Sequence, residues 1–155
     1  MAHRPRPRRQ SGVTTNMPAR RSLIVQTSIL SGGATFVVAC DDPTLRWLGT
    51  SFRRLRERKP FTLGDGPPIA SDGQCVIELV PGAPETCIAI NPGHFRWALP
   101  TAQARRYADL IDAMADCPVP CHQYLEGQNP DLPVVIVSKG EYDLAALRKM
   151  RHAGR

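Results

Sequence analysis

TFVVACDDPTLRWLGTSFRRL, residues 35–55, is the stretch that decides the fold. Its first six residues, Thr35 to Cys40, are rich in β-branched side chains and read as a strand. Asp42-Pro43 then reads as an N-cap followed by proline at the first helical position, where the missing amide hydrogen is no loss. Leu45, Leu48, Phe52 and Leu55 recur at helical spacing, so the pattern predicts a helix to about Arg58. Its other faces carry Arg46, Arg53, Arg54, Arg56, Arg58 and Lys59, with Trp47 beside the apolar stripe. Helix capping accounts for Asp41-Asp42 better than a metal-binding carboxylate pair does.

Moving upstream, Leu23–Ile29 is a second β-rich run, and Ser31-Gly32-Gly33 supplies turn residues that tolerate positive φ. The two runs predict a hairpin. The same residues admit a rival reading, since Arg20-Arg21-Ser22-Leu23-Ile24 resembles a twin-arginine signal and Val37-Val38-Ala39-Cys40 resembles a lipobox. That alternative makes the chain a membrane-anchored lipoprotein lipidated on Cys40. The intervening LIVQTSILSGGATFVVA is interrupted by Gln26, Thr27, Ser28 and Ser31, so the hairpin explains more of it. No stretch approaches the length of a membrane span.

Further upstream, residues 1–21 combine Arg, Pro, Ser and Thr with almost nothing apolar, and are expected to be a disordered tail. They hold the whole formal net charge of +6, because Arg4, Arg6, Arg8, Arg9, Arg20 and Arg21 precede the first acid, Asp41. Residues 41–155 hold 14 basic and 14 acidic side chains and sum to zero. The basic excess therefore belongs to the tail, which removes the simple inference of a basic nucleic-acid-binding fold. Met17 is a plausible alternative start.

Downstream, Phe61-Thr62-Leu63 predicts a short strand before a Gly64–Gly73 loop. Cys75–Val80 and Cys87–Ile90 then predict a hairpin around Pro81-Gly82-Ala83-Pro84. Placing Ile77 and Leu79 on one face with Ile88 and Ile90 fixes its register, with paired numbers summing to about 167. Phe95–Leu99 adds a strand. Thr101 is read as the cap of a helix whose apolar face carries Tyr107, Leu110, Ile111 and Met114. Cys117–Asp131 reads as loop and Val134–Val137 as the last strand. Ser138-Lys139-Gly140-Glu141 has capping-box spacing for a final helix through Leu144 and Leu147.

The expected architecture is α+β: a mostly antiparallel sheet with two to three helices packed on it in a single domain over residues 22–151, with a disordered 152–155. At 155 residues, with 42% apolar and 22% charged composition, the chain can bury a core without staples. Five cysteines match no disulfide framework, so reduced thiols and a cytoplasmic location are the simpler expectation.

Several constellations invite chemistry. Cys117, Cys121 and His122 are metal-ligand types, but they supply at most three ligands. Cys75 and Cys87, on opposite faces of the predicted hairpin, add none, so no metal is expected. A redox role for the pair fits poorly, with three intervening residues and two prolines. Neither Gly32-Gly33 nor Gly64-Asp65-Gly66 has phosphate-loop spacing, no catalytic group is indicated, and no cofactor is expected. Residues 46–59 carry a local charge of +5, a candidate nucleic-acid surface without interleaved aromatics. Residues 60–147 reverse it, with 4 basic against 11 acidic residues. Asp109, Asp112 and Asp116 share one helix face there and form a candidate docking patch for a basic protein partner.

His122-Gln123-Tyr124-Leu125, Val134–Val137 and Ser138-Lys139-Gly140-Glu141-Tyr142 resemble the corresponding run of small bacterial α+β proteins of the immunity type found with polymorphic toxins. The resemblance spans residues 94–143, with an echo in Asp42–Leu55. It implies a non-enzymatic domain that neutralises a toxin by occlusion, and it assigns no functional residue. The alternative is a nucleic-acid-associated protein using the Arg-rich tail and Arg46, Arg53, Arg54, Arg56, Arg58 and Lys59. The oligomeric state is left open.

Overall fold

The computed structural model describes residues 23–27, 35–66, 68–71 and 75–141. Two sheets form. The first has five strands in the order β4-β1-β2-β9-β8, made of β1 (Leu23–Thr27), β2 (Thr35–Cys40), β4 (Ala70–Ser71), β8 (Cys121–Leu125) and β9 (Val134–Lys139). The second has four in the order β3-β5-β7-β6, made of β3 (Phe61–Leu63), β5 (Val76–Pro81), β6 (Thr86–Asn91) and β7 (His94–Leu99). Both are mixed: β1/β4, β2/β9 and β5/β7 run parallel, the remaining neighbours antiparallel. With helices α1 (Asp42–Arg54) and α2 (Thr101–Ala115) they make one α+β domain. No helix among the described residues is long and apolar enough to cross a membrane.

The region around residue 40 folds as its sequence requires. β1 and β2 pair antiparallel with Leu23 opposite Ala39 and Thr27 opposite Thr35. Residues 23–27 and 35–40 thus lie inside the first sheet, between β4 and β9. Cys40 ends β2 buried. Asp41, one residue before the expected Asp42, caps α1, its carboxylate accepting from the Thr44 amide at 3.0 Å, so that Pro43 stands at the second helical position. Leu45, Leu48 and Phe52, with Leu55 in the 3-10 turn Leu55–Glu57 that follows, are at most 1% exposed. Each such burial stabilises by roughly 1.5–3 kcal/mol. Arg58, at φ 56°, stops the helix in the left-handed region.

The core joins both sheets and both helices. Phe52 is its hub, edge-on to Phe61 of β3 at 5.3 Å, Tyr107 of α2 at 5.9 Å and Trp97 of β7 at 6.1 Å. Phe36 of β2 meets Phe95 of β7 edge-on at 4.9 Å, which ties the two sheets directly.

Several sequence expectations are corrected here. β5 and β6 do not form a hairpin, because β7 lies between them, parallel to β5 and antiparallel to β6. The connecting loop bonds to β7 instead: the Gly82 amide donates to the Leu99 carbonyl at 3.0 Å. On β6 the small residues Cys87 and Ala89 oppose the large rings Trp97 and Phe95, so Ile88 and Ile90 point the other way, 56% and 38% exposed. Cys75 and Cys87 both reach the core instead of parting to opposite faces.

Residues 121–125, expected as loop, form β8. Pro100, not Thr101, holds the N-cap position of α2, without a side-chain cap bond. The capping box at 138–141 does not form. Ser138 belongs to β9, its hydroxyl is buried without a hydrogen-bond partner among the described residues, and the Glu141 carboxylate turns to His122. The tail 1–21, the turn Ser31-Gly32-Gly33, the final helix through Leu144 and Leu147, and residues 152–155 lie outside the described residues.

Candidate functional site

The two charged helix faces singled out in the sequence meet each other. Arg46 and Arg53 are seven residues apart on one face of α1, and Asp109, Asp112 and Asp116 line one face of α2. Arg53 reaches Asp109 at 2.8 Å and also pairs with Asp112, while Arg46 reaches Asp116 at 3.3 Å. These pairs run in opposite order along the two helices, so the helices lie antiparallel. Gly49 lets them close up: a Cβ there would collide with the Asp112 carboxylate. Hydrogen bonds donated to Asp112 and Asp109 hold the Arg53 guanidinium more firmly protonated than usual. Much of the acidic patch is thereby neutralised from within.

The antiparallel arrangement has a second effect. Arg54, Arg56 and Arg58 follow Arg53 at one end of the helix pair, and Arg105 and Arg106 precede Asp109 at the same end. All five are exposed, and none has a carboxylate partner among the described residues. Lys59 pairs with Glu57 at 3.4 Å. Of the six basic residues proposed for nucleic acid, Arg46, Arg53 and Lys59 are therefore committed to ion pairs, and Arg54, Arg56 and Arg58 face solvent.

His122 does not join Cys117 and Cys121. Adjacent residues of a strand point to opposite faces, so Cys121 packs against the core while His122 leaves from the other face. His122 Nδ1 lies 2.5 Å from Glu141 Oε2, and its ring stands edge-on to Tyr124 at 5.3 Å. Among the described residues no group of three or more His, Cys, Asp or Glu side chains could hold a metal ion.

Lys139 takes an architectural place that the sequence did not reveal. It is the register partner of Cys121, and its side chain is 15% exposed. Its ammonium donates to the carbonyls of Cys117 at 2.5 Å and of Met114 and Ala115 at 3.5 Å, and pairs with Asp42 at 2.7 Å. One cation thus closes the C-terminal end of α2, where carbonyls lack helical partners, and ties it to the start of α1.

Glu85 was also missed. Its Oε1 accepts from Trp97 Nε1 and from the Tyr107 hydroxyl, each at 3.0 Å. Tyr107 is fully buried, and burial pushes its phenol well above the ordinary value of 10. A buried Trp and a buried Tyr each need an acceptor. That requirement was legible, but which carboxylate meets it was not. Glu85 fixes the start of β6 to β7 and α2.

What remains unengaged is the outer edge of the second sheet. Among the described residues β6 has a single neighbour, β7, and no strand lies along its other side. The strand reads TCIAIN, with no charged residue, and presents Ile88 and Ile90 outward.

No family model matches the chain, and no curated protein does. Among solved structures it is similar to the crystal structure of Drosophila Suppressor of Fused, at 14% identity and a TM-score of 0.46. The match covers 81% of this chain, which spans only 28% of that one. A likeness of that depth bears on neither family nor function.

Proposed function

We propose that the protein is a non-enzymatic binding domain of the immunity type, which neutralises a partner protein by covering its working surface with the β6 edge. The carrying observation is Ile88 and Ile90, two large apolar side chains exposed at alternate positions of an uncharged edge strand. Uncharged edge strands invite strand addition, and monomeric proteins usually blunt them with charge or proline. A partner segment added beside β6 gains main-chain hydrogen bonds, and its own side chains alternate over the isoleucines. The acidic excess of residues 60–147 favours a basic partner such as a toxin domain. We take the protein to act in the cytoplasm, since its five cysteines are free and form no structural disulfide framework.

A second reading is favoured by the five exposed arginines at one end of the helix pair, which suit the phosphates of a nucleic acid. One experiment separates the two. The purified chain is titrated with the product of an adjacent toxin-like gene and with DNA and RNA at two salt concentrations. The protein-binding reading expects a complex that Ile88→Glu with Ile90→Glu abolishes and Arg54→Glu with Arg105→Glu spares. The reverse pattern, with affinity falling steeply in salt, transfers the function to nucleic acid. A protein complex indifferent to both isoleucines overturns the β6 surface.

A further inference from the structure

Cys117 and Cys121 are held around one point. The Met114 carbonyl oxygen is 3.1 Å from the Cys117 amide nitrogen and 4.0 Å from Cys121 Sγ. Lys139, directly across the ladder from Cys121, reaches back to the Cys117 carbonyl. The end of α2, the start of β8 and the end of β9 thus bring the Cys121 sulfur up to the backbone of Cys117, four residues away. Both are half-buried, unlike Cys40 and Cys75, which are enclosed. Cys121 packs against the core, while Cys117 sits between exposed Asp116 and Pro118.

We propose that Cys117 and Cys121 are an oxidisable pair, closed to an intramolecular disulfide by a small-molecule disulfide such as oxidised glutathione. The Cys117 thiolate, on the outer loop, attacks one sulfur of oxidised glutathione. A Cys117–glutathione bond forms, the glutathione S–S bond breaks, and one glutathione thiolate leaves. The Cys121 thiolate then attacks the Cys117 sulfur, expels the second glutathione and completes the protein disulfide. The protein gives up two electrons and two thiol protons, and the oxidant leaves as two reduced glutathiones. Lys139 assists by favouring the Cys121 thiolate electrostatically, against burial and the neighbouring Cys117, which together push that thiol up. The bond pins the end of α2 to β8. The closed loop is five residues long, so the gain in stability from chain entropy is small and the chemistry itself is the readout.

The test incubates the full chain with oxidised glutathione, alkylates what stays free, and maps the peptides by mass. The expected product joins Cys117 to Cys121, two hydrogens lighter, with Cys40 and Cys75 alkylated only after denaturation. Cys121→Ser should arrest the reaction as a glutathione adduct on Cys117. The closing rate should rise with pH as Cys121 ionises, which burial, Cys117 and Glu141 oppose and Lys139 favours. Lys139→Gln should slow closure by about threefold while Lys139→Arg preserves it. Both thiols remaining free, a stable adduct in the unaltered chain, or a bond to Cys87 instead would overturn the proposal. Equal closing rates in all three forms of residue 139 would remove the lysine from it.

Discussion

β2 and β6 are both six residues long, begin with threonine, carry a cysteine and lack any charge, yet TFVVAC is buried at every position and TCIAIN at none. β2 lies between two strands, with Phe36, Val38 and Cys40 in the core and Thr35, Val37 and Ala39 buried on the other face. Among the described residues β6 has one neighbour, and of its own residues only Cys87 packs against the core. The contrast teaches that an apolar strand sequence states a propensity but not a place. The place is set by which strand the chain inserts between which others.

The largest effect should come from putting the same charge into both strands. Val38→Asp, at a fully buried site, should lose more than about 4 kcal/mol in urea titration and leave the chain unfolded. Ile88→Asp should change stability by about 0.5 kcal/mol or less. Equal losses would break the contrast and place β6 in the interior. An intermediate effect should follow Glu85→Ala, which leaves Trp97 and Tyr107 without their shared acceptor. A loss of about 1–3 kcal/mol is expected, with Glu85→Gln milder because it keeps a carbonyl oxygen. That result sharpens the contrast, since it measures how firmly the start of the edge strand is held. The smallest effect belongs to Arg53→Ala: its side chain is 42% exposed, and the loss should stay below about 1 kcal/mol and shrink in high salt. A larger loss would mean that the helix layer depends on its ion pairs as β2 depends on its apolar neighbours.

The sequence was most legible where local rules suffice. Asp42-Pro43 and the Leu45, Leu48, Phe52, Leu55 spacing located α1, and the β-rich runs on either side of Ser31-Gly32-Gly33 located β1 and β2. It was least legible where pairing is long-range. Pro81-Gly82-Ala83-Pro84 has the residues of a hairpin turn, but nothing local reveals that β7, later in the chain, will take the place beside β5. Ser138 and Glu141 carry capping-box spacing, but the parallel ladder with β2 draws Ser138 into a strand first. Tertiary pairing overrides local preference there. For the candidate sites, the charged residues on α1 and α2 were each visible. Their mutual engagement was not, because it depends on two helices 56 residues apart in sequence at the Arg53–Asp109 bond. Ile88 and Ile90 were misplaced for the same reason, having been assigned to the core by an assumed neighbour.

The one-sided attachment of β6 also bears on how such a chain can diverge. Cys87, packed against the core opposite Trp97, is constrained, whereas the outward positions contribute little to the interior. Substitutions at 88 and 90 can therefore accumulate without passing through unstable intermediates. A lineage carrying this architecture can exchange one target for another at a rate set by selection on recognition, with the scaffold carried along unchanged.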